Sequence, residues 1–311
     1  MRMSDVQGLL DSSQEGFCEV GDKELKKIHA LLTDMLEDIS VVCKKHDIKW
    51  LLTGGSALGA VRHQGFIPWD DDVDINMTRD NFNKFAAVFQ EELGEKYVLA
   101  KPGDDKYACH YPKIFKKGTK FKGIRTSDYT EDGFFIDIFI LENVYNNKFL
   151  RYMHGLKCTF YLGVISSVRI KEFKEDFLKF TKTNRKAYRT VKLRIFIGKL
   201  FWFKSLKSWI KSAEKCFSKV KNNNSKYVVM TSGVKHYFGE MYLRDKMCNT
   251  TEMPFENHLF PVPADCDYYL TVRYGDYMTI PPVEQRRRHP ALQLDFGEQE
   301  EKVEEKDKAQ N

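Results

Sequence analysis

The segment from Leu51 to Ile75, which reads LLTGGSALGAVRHQGFIPWDDDVDI, constrains the fold of this chain more than any other part of it. Its apolar start predicts a short buried strand. The Gly54-Gly55-Ser56 turn that follows lets the backbone approach a ligand closely, because glycine carries no side chain. A helical stretch is expected from Ala57 to His63, and the free amides at a helix N-terminus suit a phosphate group. The segment therefore predicts a strand, a phosphate-binding turn and a helix in succession.

The acidic end of the same segment predicts a cation site. Asp72 and Asp74 alternate with Val73 and Ile75, so a strand would turn both carboxylates to one face and both apolar side chains to the core. Two carboxylates on one face repel each other unless a cation lies between them. Hard oxygen ligands at this spacing suit Mg²⁺ or Mn²⁺. The alternative is a charged, solvated strand edge.

A third candidate ligand is Asp137, which lies within the apolar run Phe134–Ile140. An aspartate buried there without a partner would be costly, and a metal shared with Asp72 and Asp74 would offset that cost. The alternative is an aspartate on the solvent face of a half-buried strand. Three carboxylates, a metal and a phosphate-binding turn are the parts needed for phosphoryl transfer, with Asp137 as the expected base for an incoming hydroxyl.

Apolar spacing along the rest of the chain predicts further elements. Helices are expected at Lys23–His46 and Asn81–Leu93, the second capped by Asp80, and throughout Lys148–Val220, where one helix is expected from Phe196 to Val220. Strands are expected at Trp50–Thr53, Val73–Met77, Tyr97–Ala100, Lys113–Phe115, Phe134–Leu141 and Tyr227–Met230. This order predicts an α+β fold, a small mixed sheet with flanking helices.

The predicted organisation is one domain over residues 23–296 with a mostly helical basic insertion at about 148–226. A flexible leader is expected at 1–22 and a disordered charged tail at 297–311. The chain carries a net charge of +6, and residues 151–220 hold 18 Lys and Arg against 4 acids. Such a block favours an anionic partner, whether nucleic acid, phospholipid headgroups or a phosphorylated glycan, and the alternative is a solvated helical face.

The Phe196–Val220 stretch has the same two interpretations, because lysines flank an aromatic stripe. It either lies on a membrane surface or packs on the core with a solvated basic face. The seven cysteines are widely spaced and form no Cys-x-x-Cys pair, which predicts reduced thiols in a cytoplasmic protein with neither a disulfide framework nor a zinc site. Neither a signal peptide nor an apolar run of ~18 residues is present, so no membrane span is expected.

The residues from Gly54 to Ile75 resemble the signature of the LicD family within the nucleotidyltransferase superfamily. Gly55-Ser56, Asp72-Val73-Asp74-Ile75 and Asp137 match the superfamily pattern. The LicD form adds Arg62-His63, Gly65–Trp69 and the acidic run, and similarity resumes at Phe260–Pro263, Tyr269-Leu270, Tyr274–Tyr277 and Pro281-Pro282. The resemblance covers roughly Lys23 to His289, and it implies a nucleotidyltransferase-like fold.

The resemblance also implies an activity. LicD proteins are similar to phosphocholine transferases that use CDP-choline to decorate teichoic acid or lipopolysaccharide, and the relatives fukutin and fukutin-related protein use CDP-ribitol-type donors. An acceptor hydroxyl attacks the distal phosphorus and CMP leaves. The implied partners are a CDP-activated alcohol and a glycan or lipid-linked glycan, teichoic acid, lipopolysaccharide or capsule, with the enzyme cytoplasmic or peripheral at the inner membrane face.

Four further residues are candidates for binding the donor. Arg62 and His63 are expected either to reach phosphates or to be structural, and Lys113 either to neutralise the leaving group or to be a surface lysine. Trp69 is expected to stack on a base, to hold a choline ammonium by cation–π attraction, or to pack in the core. The resemblance further implies that Tyr274–Tyr277 and Arg286–His289 close over the site.

Two other functions remain open from the sequence. A nucleotidyltransferase would attack the inner phosphorus of an NTP and attach NMP to a small molecule or a protein. A non-catalytic protein that binds nucleic acid or another anionic polymer would show steep salt dependence, but it would leave the aspartate inside the apolar run Phe134–Ile140 unexplained. For that reason no nucleic-acid partner is expected.

Overall fold

The computed structural model describes residues 20–105, 107–123, 133–286, 288–289 and 291–297. The leader predicted at 1–22 and the tail predicted at 297–311 lie almost wholly outside these residues, as does Cys18. The described part of the leader is ordered into the core, because Val20 is buried and the first helix already begins at Asp22.

The structure combines helices with a mixed sheet, which confirms the predicted α+β class. The helices are α1 Asp22–Lys45, α2 Gly54–His63, α3 Arg79–Glu92, α4 Lys148–Glu172, α5 Lys174–Thr181, α6 Arg185–Leu200, α7 Leu206–Phe217, α8 His236–Gly239, α9 Arg244–Cys248 and α10 Cys266–Tyr274. The strands are β1 Leu51–Leu52, β2 Asp74–Thr78, β3 Tyr97–Ala100, β4 Lys113–Lys116, β5 Lys120–Gly123, β6 Phe135–Asn143, β7 Tyr227–Met230, β8 Met241–Leu243, β9 Thr250–Phe255, β10 His258–Pro263 and β11 Ala291–Asp295.

The main sheet is mixed and has β6 at its centre. Strand β2 runs parallel to β6, whereas β1 pairs antiparallel with β2. The first half of β6 pairs antiparallel with β4, which in turn pairs with β3. The second half of β6 pairs antiparallel with β7, followed by β8. The strand β6 therefore belongs to both halves of the sheet, because it is long enough to hold a different neighbour at each end.

Two predicted boundaries near the acidic motif are wrong, the start of the strand and the start of the helix. The strand predicted at Val73–Met77 begins at Asp74, so Asp72 lies in the preceding loop rather than on the strand. The turn predicted at Gly54–Ser56 is instead the first turn of α2. The first of these glycines has a φ of 57°, a left-handed conformation that glycine adopts without strain, and the helix starts directly from the strand for that reason.

The cap of α3 also differs from the prediction. Asp80 was expected to cap this helix, but the Oγ atom of Thr78 accepts the hydrogen bond from the N–H of Asn81 at 3.5 Å. Asp80 instead accepts a hydrogen bond from the side-chain amide of Asn223. The helix thus begins two residues earlier than the pattern indicated, and Arg79 lies in its first turn.

Helices dominate residues 148–217, as expected, but the single helix predicted from Phe196 to Val220 is wrong. Helix α6 ends at Leu200, and α7 begins after Ser205, whose hydroxyl accepts a hydrogen bond from the N–H of Ser208 at 3.2 Å. The break allows α6 and α7 to pack separately against α4. Among the described residues, no helix combines the length and the apolar character needed to cross a bilayer.

The core has two main parts. The larger part joins α1, α2 and α3 to the sheet and to the β9–β10 hairpin, and the smaller joins α4 and α7 to β7. A buried ion-pair network links them, because Arg79 pairs with Glu142 on the sheet and with Glu214 on α7, the latter at 2.5 Å. The helical segment is thereby fixed to the sheet by charge as well as by apolar contact.

Candidate active site

The carboxylates predicted to share a metal meet on neighbouring strands. In the parallel pairing of β2 with β6, Asp74 is the register partner of Asp137, and the N–H of Asp137 donates to the carbonyl of Val73 at 3.1 Å. In the antiparallel pairing of β4 with β6, Lys113 is opposite the same Asp137. The sheet therefore brings two of the three predicted carboxylates and the predicted lysine side by side.

The first turn of α2 packs directly onto this carboxylate pair. A Cβ atom on Gly54 would lie 2.7 Å from Oδ2 of Asp74, so only glycine fits between the helix and the carboxylate. The N–H of Asp74 donates to Oγ of Ser56 at 2.9 Å, and the N–H of Gly54 donates to the hydroxyl of Tyr269 at 2.7 Å. The remaining amides of a first helical turn have no acceptor within the helix.

Two more acids of the motif complete the cluster. A Cβ atom on Gly55 would lie 2.5 Å from Oδ2 of Asp70, which places that carboxylate against the same helical turn. Asp71 is buried and satisfied: the backbone N–H of His289 donates to its Oδ2 at 2.9 Å, and the ring Nδ1 of His289 lies 2.9 Å from its Oδ1. The Nε2 atom of His289 lies 3.7 Å from Oδ2 of Asp72. Asp71 thus anchors the C-terminal segment, and Asp70 and Asp72 remain for a ligand.

The electrostatics of the cluster follow from burial and from mutual repulsion. The pKa of the Asp74 carboxyl lies well above its usual range because of burial and because of the nearby charges of Asp72 and Asp137. The pKa of the Asp72 carboxyl is raised chiefly by burial, against the attraction of His289. The pKa of the Asp70 carboxyl is raised by burial and by the charge of Asp72. Without a compensating cation, these groups resist ionising together.

The chemistry of the donor set suits a divalent cation, while the ligand atoms that lie within 4.8 Å of one another at this motif are those of Asp71, Asp72 and His289. Asp137 is buried, and Nζ of Lys113 forms an ion pair with its Oδ1 atom at 2.6 Å. Oxygen ligands from Asp72, Asp74 and Asp137, with Asp70 adjacent, are the kind that Mg²⁺ and Mn²⁺ prefer. The ammonium of Lys113 partly supplies the missing positive charge, and it lies 3.4 Å from the ring centroid of Phe135.

The other predicted binding residues form a second group. Arg62 and His63 end α2, roughly 11 Å along the helix axis from Gly55 at ~1.5 Å per residue. The Nε atom of Arg62 donates to Nε2 of His63 at 3.0 Å, and its Nη1 donates to the carbonyl of Tyr277 at 3.0 Å. The ring of His63 contacts Trp69 edge to face, with centroids 6.3 Å apart.

Trp69 already holds a cation in this arrangement. The guanidinium of Arg286 lies 4.2 Å above its ring, so the aromatic face has the environment that cation–π attraction needs. Tyr277, Arg286 and His289 come from the end of the chain, which agrees with the expectation that this segment closes over the motif. Arg287 of the same cluster lies outside the described residues.

Sequence reasoning missed the particular roles of Asp70, Asp71 and His289. The four acids looked equivalent along the chain, and only the tertiary structure distinguishes the anchor from the remaining carboxylates. Tyr274 was also missed as an individual residue; its pKa is raised chiefly by burial, with Asp74 and Asp70 among the neighbouring charges, which places its phenol near both carboxylates. No local signal marks such contacts between residues some 200 positions apart.

An open cavity of about 840 Å³ lies at the opposite end of the sheet. It is lined by the far ends of β1, β2 and β6, including Asn76, Thr78 and Asn143. Size alone does not make it the reaction site, because it lacks the clustered carboxylates. The chemistry lies at the start of β2 and β6, where the acidic residues and the helix N-terminus face one another.

Comparison with known proteins gives a match over the part of the chain that contains the acidic motif. Residues 47–179 match the family model described as LicD/FKTN/FKRP, nucleotidyltransferase domain. The chain is 26% identical over 285 residues to the lipopolysaccharide cholinephosphotransferase LicD of Haemophilus influenzae, covering 85% of this chain and 95% of that protein.

Shorter similarities involve two uncharacterized Rickettsia proteins. One, from Rickettsia typhi, is 32% identical over 82 residues, which is 26% of this chain and 25% of that protein. The other, from Rickettsia prowazekii, is 37% identical over 86 residues, which is 25% of this chain and 32% of that protein. The resemblance drawn from the motif is confirmed: residues 47–179 match the nucleotidyltransferase domain of the LicD family.

Proposed function

We propose that this protein is a metal-dependent transferase that moves phosphocholine, or a similar phospho-alcohol, from a CDP-activated donor to a hydroxyl of a cell-surface glycan. The observation that carries the proposal is the placement of Asp74 and Asp137 at one register position of two parallel strands, beneath the first turn of α2. The similarity to a lipopolysaccharide cholinephosphotransferase supports the class of transferred group and of acceptor.

The metal site of the proposal consists of Asp72, Asp74 and Asp137. A Mg²⁺ or Mn²⁺ ion held there would neutralise charge on the diphosphate of the donor. The first turn of α2 contributes backbone amides and the positive end of the helix dipole, which favour a phosphate close to Gly55 and Ser56. Gly54 is needed because any side chain at this position would meet the carboxylate of Asp74.

We assign the proton transfer to Asp137 and the neutralisation of phosphate charge to Lys113. Asp137 is the proposed base that accepts the proton of the attacking hydroxyl, since it is a buried carboxylate beside the proposed metal site. Lys113 holds that carboxylate in place by the ion pair at 2.6 Å. A cation bound at Asp137 would compete with this ion pair, and the ammonium of Lys113 would then be available to the phosphates of the donor.

The alcohol part of the donor is assigned to the face of Trp69. This ring already has Arg286 above it at 4.2 Å, and a choline ammonium would have to displace the guanidinium or use the other face. Arg62 and His63 support the ring through the edge contact rather than by reaching phosphates. An uncharged alcohol would leave Arg286 in place, so competition at Trp69 distinguishes choline from ribitol-like groups.

The test is transfer from CDP-choline labelled separately in the choline and in the cytidine, with Mg²⁺ or with EDTA. The expected product carries the choline label and its formation stops in EDTA. Asp74→Asn and Asp137→Asn are expected to lose activity by about 10²-fold or more. The control Asp245→Asn removes an equal charge from an exposed site elsewhere and should remain active. Full activity of Asp137→Asn would contradict its assignment as base.

The alternative reaction, attachment of NMP from an NTP, uses the same carboxylates and has to be separated by its products. A nucleoside triphosphate labelled in its α-phosphate leaves label on an acceptor only if the inner phosphorus is attacked. Transfer of that label, together with no transfer from CDP-choline, would overturn the proposed reaction while leaving the metal site intact.

A peripheral contact with membrane is proposed for the helical segment. Exposed apolar residues follow one face of α4 and one face of α6 and continue into the break between α6 and α7. They are Phe149, Tyr152, Met153, Leu156, Phe160, Leu193, Phe196, Leu200, Trp202 and Phe203. Trp202 is 77% exposed and Phe149 is 70% exposed, which is unusual for such large apolar side chains.

The charge pattern selects an anionic lipid surface as the partner. There is no Asp or Glu from Asn143 to Lys171 or from Phe177 to Ala213, whereas Lys and Arg recur through both stretches. Exposed aromatic side chains with lysines around them bind the headgroup region of anionic bilayers, at about 1 kcal/mol for each basic residue near the surface. An acceptor carried on a lipid would then be presented next to the enzyme.

Sedimentation with vesicles tests this surface. Binding is expected to vesicles that contain phosphatidylglycerol, to weaken in phosphatidylcholine alone, and to fall in the double variant Trp202→Ser, Phe203→Ser. The variant Leu259→Ser removes an equally exposed apolar side chain from the β9–β10 hairpin and serves as the control. Binding that is the same for both variants, or absent from anionic vesicles, would contradict the proposal without bearing on the transfer reaction.

A further inference from the structure

Three soft ligands converge inside the helical segment, far along the chain from the acidic motif. His154 and Cys158 lie one turn apart on α4, and Cys216 lies on α7. One ligand atom from each residue lies within 4.8 Å of the other two. Cys158 is fully buried and His154 is 4% exposed. The two cysteines are 58 positions apart in the sequence, but the fold brings them together. Their wide spacing along the chain therefore does not exclude a zinc site.

The distances match the edges of a tetrahedral zinc site. With Zn–S bonds of about 2.3 Å and Zn–N bonds of about 2.05 Å, two sulfur ligands lie ~3.8 Å apart, and a nitrogen and a sulfur ligand lie ~3.6 Å apart. The Sγ atoms of Cys158 and Cys216 are 3.9 Å apart, and Nε2 of His154 is 3.6 Å from Sγ of Cys158. Both edges agree with the ideal values, so no large movement of the helices is needed to admit the ion.

The surroundings orient the ligands. The Nε2 atom of His154 lies 2.8 Å from the carbonyl of Cys216, and Nδ1 lies 3.4 Å from the hydroxyl of Tyr237. A metal at Nε2 would displace the carbonyl of Cys216 from this nitrogen, and the Nδ1–H would then donate to Tyr237, the kind of hydrogen bond that fixes a metal-bound imidazole. Cys216 is partly exposed, which leaves a path for water as the fourth ligand.

We propose that His154, Cys158 and Cys216 bind a zinc ion that ties α4 to α7. Thiolate and imidazole ligands select Zn²⁺ over the Mg²⁺ or Mn²⁺ expected at the carboxylates, so the chain has two cation sites of different chemistry. Binding converts both thiols to thiolates and releases their protons to solvent. The site would hold together the two helices that border the exposed apolar surface, and it is independent of the transfer reaction.

Cobalt spectroscopy of the full chain tests the site directly. Reduced protein freed of metal is titrated with Co²⁺ in the presence of excess Mg²⁺, and the near-ultraviolet band of thiolate-to-cobalt charge transfer is recorded. Oxygen ligands do not produce this band, so the carboxylate cluster does not interfere. One equivalent of Co²⁺ is expected to saturate the band, and one equivalent of Zn²⁺ is expected to abolish it.

Matched cysteine variants locate the ligands. Cys158→Ser and Cys216→Ser should lose the band, whereas Cys43→Ser, which changes a buried cysteine of α1, should keep it. Wild-type protein that shows no band with all its thiols reduced overturns the proposal, whatever the variants do. Recovery of a Cys158–Cys216 disulfide in place of bound metal, from cells grown with zinc, also overturns it.

Discussion

Replacing Asp74 by asparagine should make the metal-free protein more stable while removing its activity. The backbone N–H and carbonyl of Asp74 make its hydrogen bonds to Ser56 and Thr53, and asparagine preserves both. The substitution therefore removes one negative charge from the carboxylate cluster and changes little else. Asp72 and Asp137 both raise the pKa of this carboxyl, which identifies them as its repulsive neighbours.

The size of the effect follows from the spacing of the strands. Carboxylates on adjacent strands, whose backbones are ~4.8 Å apart, repel each other by roughly 3 kcal/mol at ~5.5 Å and an effective dielectric constant of ~20. Partial protonation and the exposure of Asp72, whose side chain is 21% accessible, reduce this value. We expect the free energy of unfolding of Asp74→Asn to rise by about 1–3 kcal/mol in EDTA, and its Tm to rise by roughly 2–4 °C per kcal/mol.

The difference in the free energy of unfolding between Asp74→Asn and the wild-type protein should change sign when the ligand cation is added. Wild-type protein gains about 2.7 kcal/mol when Mg²⁺ is present at ~100 times its Kd, and the variant gains less because it has lost a ligand. Thermal unfolding at mildly alkaline pH, with EDTA and then with Mg²⁺, measures both effects, with Asp245→Asn as the charge-matched control. A lower Tm of Asp74→Asn in EDTA, or equal Mg²⁺ stabilisation of both proteins, would refute the reasoning.

Other substitutions test the elements around the site. Arg79→Met leaves Glu142 buried without its guanidinium and should cost about 3–5 kcal/mol in urea unfolding, whereas a loss below ~1 kcal/mol would mean that the network does not fix the helical segment. Gly198→Ala should cost about 1–3 kcal/mol by pushing α6 from α4, while Gly163→Ala, whose Cβ meets nothing within 4 Å, should not destabilise. Lys113→Met removes the competitor for its aspartate, so calorimetry should show tighter Mg²⁺ binding together with lower transfer activity; weaker binding would contradict that role.

The sequence was sufficient to identify the clustered carboxylates as candidates, but it did not predict how they are arranged in the sheet. The alternation at Asp72 and Asp74 and the isolated Asp137 are local signals, because residue type and spacing alone make an unpaired carboxylate costly. Their alignment depends on the register of β2 with β6, which join segments about 60 positions apart. No local pattern encodes that register, and none indicated that β2 begins at Asp74 and leaves Asp72 in a loop.

The helical segment shows a second limit. Apolar spacing continued in phase from Phe196 to Phe217, so one helix was predicted, although Ser205 is a common helix-capping residue and its signal was outweighed by the period. The cysteines show a third limit. Their spacing gave no motif, yet His154 and Cys158 stand at the four-residue interval of one helix face, and only the packing of α7 against α4 brings Cys216 to them.

The pairing of β6 with β7 has a consequence for how this chain can vary. These two strands are direct antiparallel neighbours, with Leu141 opposite Met230 and Asn143 opposite Val228, so α4 to α7 occupy the place of a hairpin loop. A loop can change length and sequence without altering the ladder on either side of it. The membrane contact proposed for these helices is therefore free to diverge between relatives, while the aspartates at the opposite end of β6 keep the same geometry.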